Sequence, residues 1–580
     1  MTLIMKPVAM VALTALVAAG GASCKGDAPE PLNVGAHAGL VAHSAEFEKK
    51  VYEVTEGVYV AVGYGLANSI LIEGDGGLVI VDTMESLESA QAVRAEFKRI
   101  SDKPILAVVY THNHADHVFG ARAFVEEGSH SVPIYAHETT NYYIDRVVNV
   151  IRPAISRRSM RMFGNYLPEG GLINCGIGPR LFAGHGGGTV ALLRPTHTFA
   201  DELDLQIGGV KLKLVHAPGE TDDQLFVWLP EKRTLLAGDN FYRSFPNLYT
   251  IRGTPYRDVM KWVRSLDRMR ELRPEHLVPS HTRPLSGVEH IHEQLTAYRD
   301  AIQYVHDQSI RGINAGLGPD ELVQTVRLPP HLAASPWLQE YYGTVEWSVR
   351  SIFSGYLGWF GGDAAYLSPV GTQQRARLMA ELAGGEGELR RRADEALAAG
   401  RFRWAAELAD YLLRLEPGDR GLRLLKAEAL KALGERAISS NGRNYYLTQA
   451  LEFSDEIDIG AEQALLGVPM DVVYSFPLEG IFRAMAVRLD PEKAADVDQV
   501  VGFRFPDTDE GFTIRVRRGV AEIQARFPED PDVSLTLSSR TWLDILLGQR
   551  SAVVALASDD VGIEGSALEL IGFLRLFDRS

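Results

Sequence analysis

Between residues 47 and 328, short apolar runs recur at strand-like lengths and are cut by turn residues. VYEVTEGVYVAVG (51–63), NSILIEGDGGLVIVDT (68–83) and KPILAVVYTH (103–112) are rich in β-branched residues and punctuated by Gly and Asp. SLESAQAVRAEFKRI (86–100) changes to a helical period, with Ser86 placed to cap its start. Four further strand patterns follow in VKLKLVHAPG, QLFVWLP, KRTLLAGDN and HLVPSH. Strands that alternate with helices, with polar residues at the strand ends, predict a layered α/β domain with a site along one sheet edge.

From 329 to 455 the pattern is helical. GRFRWAAELADYLLRLEPGDRGLRLLKAEALKALG (400–434) pairs two amphipathic helices across a Pro-Gly-Asp turn, in the manner of one tetratricopeptide-type hairpin. A lone hairpin cannot bury its own apolar face, so it must pack on other helices or on another subunit. From 461 to 580, FTIRVRRGVAEIQA, VSLTLSSRTWLDILLG and the apolar SALELIGFLRLF predict a small α+β domain without a cluster of His or Cys.

The chain has 580 residues, more than one core accommodates, and 46% hydrophobic with 23% charged residues is an ordinary globular composition. Its net charge of -16 argues against a general nucleic-acid binder, which needs basic patches. Residues 1–23 carry Lys6 and then a short apolar stretch of small residues, the pattern of a secretory signal. Gly21-Ala22-Ser23 before Cys24 resembles a bacterial lipobox, with Gly where Leu is usual. The expectation is a lipoprotein of the cell envelope or periplasm whose membrane contact is a lipid on Cys24, followed by a polar tether over 24–46. Cys175 is the only other cysteine, which leaves no disulfide framework and predicts a small inert residue.

THNHADH (111–117) brings candidate chemistry. His112, His114, Asp116 and His117 crowd the end of a buried strand, where residues two apart share a side. Imidazole and carboxylate donors suit Zn²⁺, with Fe or Mn as alternatives. Other strand ends offer His216, Glu220, Asp222, Asp223, Asp239 and His281. A two-metal set follows: His112, His114 and Glu220 at one ion, Asp116, His117 and His281 at the other, with Asp239 between them. Asp116 and Asp239 are the expected catalytic carboxylates.

The order THNHADH, APGET, AGDN and PSH resembles the metallo-β-lactamase superfamily, most of which carries His where Glu220 stands. Glu at this position resembles the alkyl sulfatases of the dodecyl-sulfate-degrading type. PNLYTIRG (246–253) resembles their sulfate-site segment, EYYGTVEWSVRSIFSGYLGWFGGDAAYLSP (340–369) and GRNYYLTQALE (442–452) their helical dimerisation domain, and VRLDPEKA (487–494) the entry to a C-terminal domain similar to sterol carrier protein. Two features depart from that family. Asp239 stands where Glu is usual, and FYRSF (241–245) replaces a segment that usually contains His.

The resemblance implies an α/β fold, an αββα sandwich over 47–328, then an all-α dimerisation domain over 329–455 and a small α+β sterol-carrier-protein-like domain over 461–580. It implies two Zn per chain, a homodimer, and hydrolysis of alkyl sulfate esters to alcohol and sulfate. Zinc lowers the pKa of bound water from 15.7 to about 7, which supplies a nucleophile near neutral pH. Arg252 is the matching residue for bidentate binding of the sulfate group. An alkyl tail needs an apolar groove, for which Phe163, Tyr166, Phe241, Tyr242 and Phe245 are candidates. The competing functions are another hydrolase of the same fold, acting on a phosphoester, lactone or amide, and a lipid-binding lipoprotein with a vestigial metal site.

Overall fold

The computed structural model describes residues 35–125, 132–146, 151–182, 187–459, 470–551, 554–555 and 558–578. The expected signal segment, Cys24 and the first part of the tether lie outside the described residues. Two sheets stand face to face. The first runs in the order β1 (Lys50–Thr55), β2 (Val58–Val62), β3 (Ser69–Glu73), β4 (Leu78–Val81), β5 (Ile105–Val109), β6 (Ile134–His137), β7 (His197–Phe199). Its first four strands are antiparallel and its last four parallel. The second comprises β8 (Glu202–Ile207), β9 (Val210–His216), β10 (Leu225–Leu229), β11 (Thr234–Gly238), β12 (His276–Pro279) and β13 (Leu285–Ser286), in the reverse order across the sheet.

Side-chain alternation explains the layers. Ile70, Ile72, Val79, Val81 and Val109 point inward to meet Leu212, Leu214, Val227 and Leu236 of the other sheet. Their sequence neighbours Leu71, Ile80 and Val108 point outward and are covered by Val93 and Phe97 of the helix Leu87–Ile100. Ser86 caps that helix as expected, accepting from the Ser89 N–H at 3.2 Å. On the other outer face, Phe226, Leu235 and Leu277 pack under Trp262, Leu266 and Met269 of Val259–Glu271 and under Leu295 and Tyr298 of Val288–Asn314. The result is an αββα sandwich.

Helices follow, among them Val345–Leu357, Glu386–Ala398, Phe402–Leu415, Arg420–Arg436 and Ser440–Phe453. The hairpin of Phe402–Leu415 and Arg420–Arg436 buries Leu408, Leu412, Leu422 and Leu425 together with Leu389 of the preceding helix. Ser440–Phe453 returns to the sandwich, where Arg161 donates to both Glu452 carboxylate oxygens at 2.7 Å. The C-terminal part holds β14 (Asp498–Phe505), β15 (Glu510–Arg517), β16 (Val520–Gln524), β17 (Val533–Thr536) and β18 (Gly562–Glu564) in the order β16-β15-β14-β17-β18. Phe482, Phe503, Phe512 and Trp542 fill the core beneath this sheet. No helix among the described residues is long and apolar enough to cross a membrane.

Candidate metal centre

The C-terminal ends of β4, β5, β11 and β12 open on one edge of the sandwich, and each delivers a polar side chain there. Asp82 leaves β4 with a left-handed backbone (φ 60°), as does Met84 (φ 68°). Non-glycine residues in that region cost of order 1–3 kcal/mol. Four hydrogen bonds to the buried Asp82 carboxylate offset the cost: from the Thr111 N–H (2.8 Å) and Oγ1 (2.9 Å), Ser280 Oγ (2.8 Å) and His117 Nδ1 (2.8 Å).

These contacts orient the imidazoles. His117 gives Nδ1 to Asp82, which leaves Nε2 facing inward. His112 gives Nδ1 to Thr111 Oγ1 at 3.0 Å, because that hydroxyl already donates to Asp82. His281 gives Nδ1 to the Leu66 carbonyl at 2.8 Å. Their Nε2 atoms converge on Asp239, whose Oδ2 lies 3.2 Å from His281 and 3.6 Å from His112 and whose Oδ1 lies 3.5 Å from His117. Asp116 Oδ2 stands 3.4 Å from His117 Nε2 and 3.5 Å from His281 Nε2. His114 Nδ1 is 2.9 Å from His112 Nε2. His112 and His114 meet in the loop beyond β5 rather than along the strand itself.

Two trios result, His112–His114–Asp239 and Asp116–His117–His281, each with ligand atoms within 4.8 Å of one another. Asp239 stands between them. Gly238 before it has φ 58°, and a Cβ there would meet Gln224 Nε2 at 2.0 Å, so only glycine permits this turn. Glu220 is brought close but does not join a trio. Its Oε1 pairs with Arg257 Nη1 at 2.9 Å and its Oε2 accepts from the Tyr242 hydroxyl at 3.1 Å. His216 and Asp222 are taken up in a loop clamp, with His216 Nε2 on the Asp222 carbonyl at 2.7 Å, and Asp223 accepts from Asn113.

The donor set fits a divalent cation. His117 Nε2 and Asp239 Oδ1 are buried and have no hydrogen-bond partner, although buried polar atoms are ordinarily paired. Burial, helped by the neighbouring His117, holds the His112 imidazole well below its usual range. Burial likewise depresses His114. Burial opposes ionisation of Asp116 and Asp239, but the surrounding histidines outweigh it. Asp116 is pulled down to about 2 and Asp239 well below the carboxylate range. Burial opposes protonation of His117 and His281 too, but Asp239 and Asp116 outweigh it and hold both imidazoles above their usual range. A metal requires neutral imidazoles beside ionised carboxylates, so a cation bound here would displace protons from His117 and His281.

A cavity of about 280 Å³ opens beside His114. Arg252 and Arg257 line it together with Ile151, Ile155 and Tyr256. Arg252 Nη2 donates to His114 Nε2 at 2.9 Å, and Arg257, 4% exposed, keeps Nε and Nη2 without a partner. The aromatic groove expected from the sequence is corrected here. Phe241 and Phe245 pack into the core below the second sheet, and Phe163 and Tyr242 into a second buried cluster. FYRSF follows β11 and contributes no side chain to the cavity lining; Tyr242 reaches the site only through its hydroxyl on Glu220. Cys175 is buried, and its thiol is pushed up to about 12, first by burial, as befits an inert residue.

Asp82, Arg257 and Glu85 serve the site although the sequence signals them only weakly. The signal for Asp82 is an acidic residue closing the run VIVDT. For Arg257 it is a second arginine five residues after Arg252. Glu85 is buried and accepts the Leu66 N–H (3.2 and 3.3 Å) and the Phe182 N–H (3.2 Å), so it braces the loop whose carbonyl orients His281. Burial pushes its carboxyl up to about 8. A carboxyl raised on folding contributes stability in full below its ordinary value, and that stability is lost as pH rises through about 8. Glu85→Gln is therefore expected to flatten the loss of stability between about pH 5 and pH 9 by more than ~1.4 kcal/mol, the value of one pKa unit. Urea unfolding at both pH values checks this; equal pH slopes in the two proteins would refute it.

Residues 62–281 match the metallo-beta-lactamase superfamily, 318–456 the alkyl sulfatase dimerisation family and 467–580 the alkyl sulfatase C-terminal family. A linear primary-alkylsulfatase of a Pseudomonas species is 40% identical over 524 residues, covering 88% of this chain and 98% of that protein. The chain belongs to the alkyl sulfatase family. A second member, the alkyl/aryl-sulfatase BDS1 of Saccharomyces cerevisiae, is 30% identical over 91% of this chain and 82% of its own length. Among solved structures, the inverting sec-alkylsulfatase Pisa1 of Pseudomonas sp. aligns with a TM-score of 0.85 at 26% identity, over 91% of this chain and 84% of that one. Within this alkyl sulfatase, the two trios and the paired arginines lie in the segment that matches the metallo-beta-lactamase superfamily.

Proposed function

We propose that this chain is a dizinc hydrolase that cleaves alkyl sulfate esters to an alcohol and sulfate. One observation carries the reading: a buried cluster of metal-type ligands opens on a cavity that holds two guanidinium groups against an apolar wall. His112, His114 and Asp239 would hold one ion and Asp116, His117 and His281 the other, with Glu220 at the margin. Zinc bound there would polarise the ester and lower the pKa of a water molecule to about 7.

The protein's own groups do the rest. Arg252 and Arg257 grip the sulfate oxygens through paired N–H groups, and the partnerless Arg257 donors fit that role. Ile151 and Ile155 hold the proximal carbons. The Asp116 side chain is 10% exposed, against 1% or less for Asp239, His112, His117 and His281, so it is the carboxylate placed to orient an incoming water by accepting its hydrogen bond. Water adds across the ester, and its proton leaves with the alcohol or the sulfate.

The helical part supports a homodimer, in keeping with its match to the alkyl sulfatase dimerisation family. The apolar N-terminal segment before Cys24 supports a lipid-anchored place in the cell envelope. Purified protein is expected to carry about two zinc per chain and to lose alkyl sulfate hydrolysis on chelation. Elemental analysis and sulfate release from dodecyl sulfate, beside a phosphoester, a lactone and an amide, test this. Full activity after metal removal, or turnover confined to the other substrates, would overturn it.

A further inference from the structure

A second groove, of about 420 Å³, lies against the exposed side of the helix Val345–Leu357 and is lined by Tyr249, Trp347, Ser351, Ser354 and Gly355, with Arg350, whose guanidinium is paired with Asp320, at its edge. It shares Thr254, Pro255 and Tyr256 with the cavity that holds Arg252 and Arg257. Tyr256 is the wall between them. Its ring lies flat on Gly355, where an added Cβ would stand 2.2–2.5 Å from three ring atoms. It also meets Tyr356 edge-on, with ring centroids 6.5 Å apart. Tyr356 is in turn anchored through its hydroxyl to His306 Nε2 at 2.8 Å. Packing thus holds the ring on the glycine face.

Resting on the alkyl sulfatase reading, we infer that the distal part of a long alkyl tail crosses Tyr256 into this groove, so that Tyr256 and the helix Val345–Leu357 set the chain-length preference. The sulfate head is held by Arg252 and Arg257, and the first carbons lie against Ile151 and Ile155. A short tail ends inside the inner cavity. A longer one has only the shared edge at Thr254–Tyr256 to pass, and on its far side it meets the Trp347 face. Each methylene taken from water there strengthens binding about fourfold.

The test is the ratio of kcat/KM for dodecyl sulfate to that for butyl sulfate, measured on metal-loaded, full-length protein. Ser354 is exposed on the helix and borders the groove, so Ser354→Trp fills the groove without disturbing a core. The ratio is expected to fall at least tenfold in this variant. It is expected to persist in Tyr256→Phe, which keeps the ring. A ratio unchanged by Ser354→Trp overturns the assignment. So does a variant that loses the dimer while keeping the ratio, which would give the groove to a second copy of the chain. If the wild-type protein hydrolyses neither ester, the alkyl sulfatase reading itself falls; if it hydrolyses both and only the variant's ratio fails to move, this assignment alone falls.

Discussion

Asp239→Asn is expected to cut kcat for alkyl sulfate hydrolysis at least about a thousandfold, roughly 4 kcal/mol of barrier at ~1.36 kcal/mol per decade. The same substitution should lower the metal content of both trios together. Asp239 reaches both trios, with Oδ2 3.6 Å from His112 of one and 3.2 Å from His281 of the other, and Oδ1 3.5 Å from His117. An amide keeps the shape but removes the charge and presents a donor to one of these imidazoles. Asp82→Asn makes the contrast. Asp82 touches His117, Thr111 and Ser280 without entering a trio, so its loss should weaken metal binding only about 10–100-fold. Metal titration of both variants against kcat decides the matter. An Asp239→Asn protein that holds two ions and turns over at the wild-type rate would remove Asp239 from the centre of the site.

The sequence exposed this site unevenly, and the reasons are physical. Four ligand-type residues crowd six positions after β5, a density that a polar loop does not need. Asp239 and His281 were legible because each closes a β-branched or leucine-rich run at a strand's C-terminal end, and such ends share an edge in layered α/β folds. Asp82 sits at an equivalent strand end but carries no neighbouring ligand, and only its four hydrogen bonds from three residues in two separate segments reveal its task. The aromatic residues of FYRSF do not form the expected groove, because sequence does not say which face of a segment turns inward. The tail-side wall comes instead from Ile151, Ile155 and Tyr256, which no periodic pattern connects.

Glu220 shows the limit most clearly, since its position was legible and its orientation was not. Its backbone lies beside the site: Asn240, next to Asp239, accepts the Glu220 N–H and donates to the Ala217 carbonyl, locking APGE to AGDN. Its carboxylate is nonetheless held by Arg257 and Tyr242, and the side chains of the Glu220–Arg257 pair are each 2% exposed.

That burial sets the second large effect. Arg257→Met is expected to destabilise the protein by about 3–5 kcal/mol, because it strands a buried carboxylate whose charge then has no counter-ion. Burial already pushes the Glu220 carboxyl up against the pull of Arg257, so without the guanidinium it should take up a proton on folding. Adding Glu220→Gln should recover much of the lost stability, since the double variant buries neither charge. Chemical unfolding of the two singles and the double variant gives the coupling directly. Metal content measured on the same proteins separates the two roles open to Glu220. If Glu220 serves only Arg257, the double variant regains stability and keeps its metal. If it turns to the His112–His114 trio when that trio is loaded, the double variant regains stability but loses metal from that trio. Additive destabilisation in the double variant would show that the pair is not coupled.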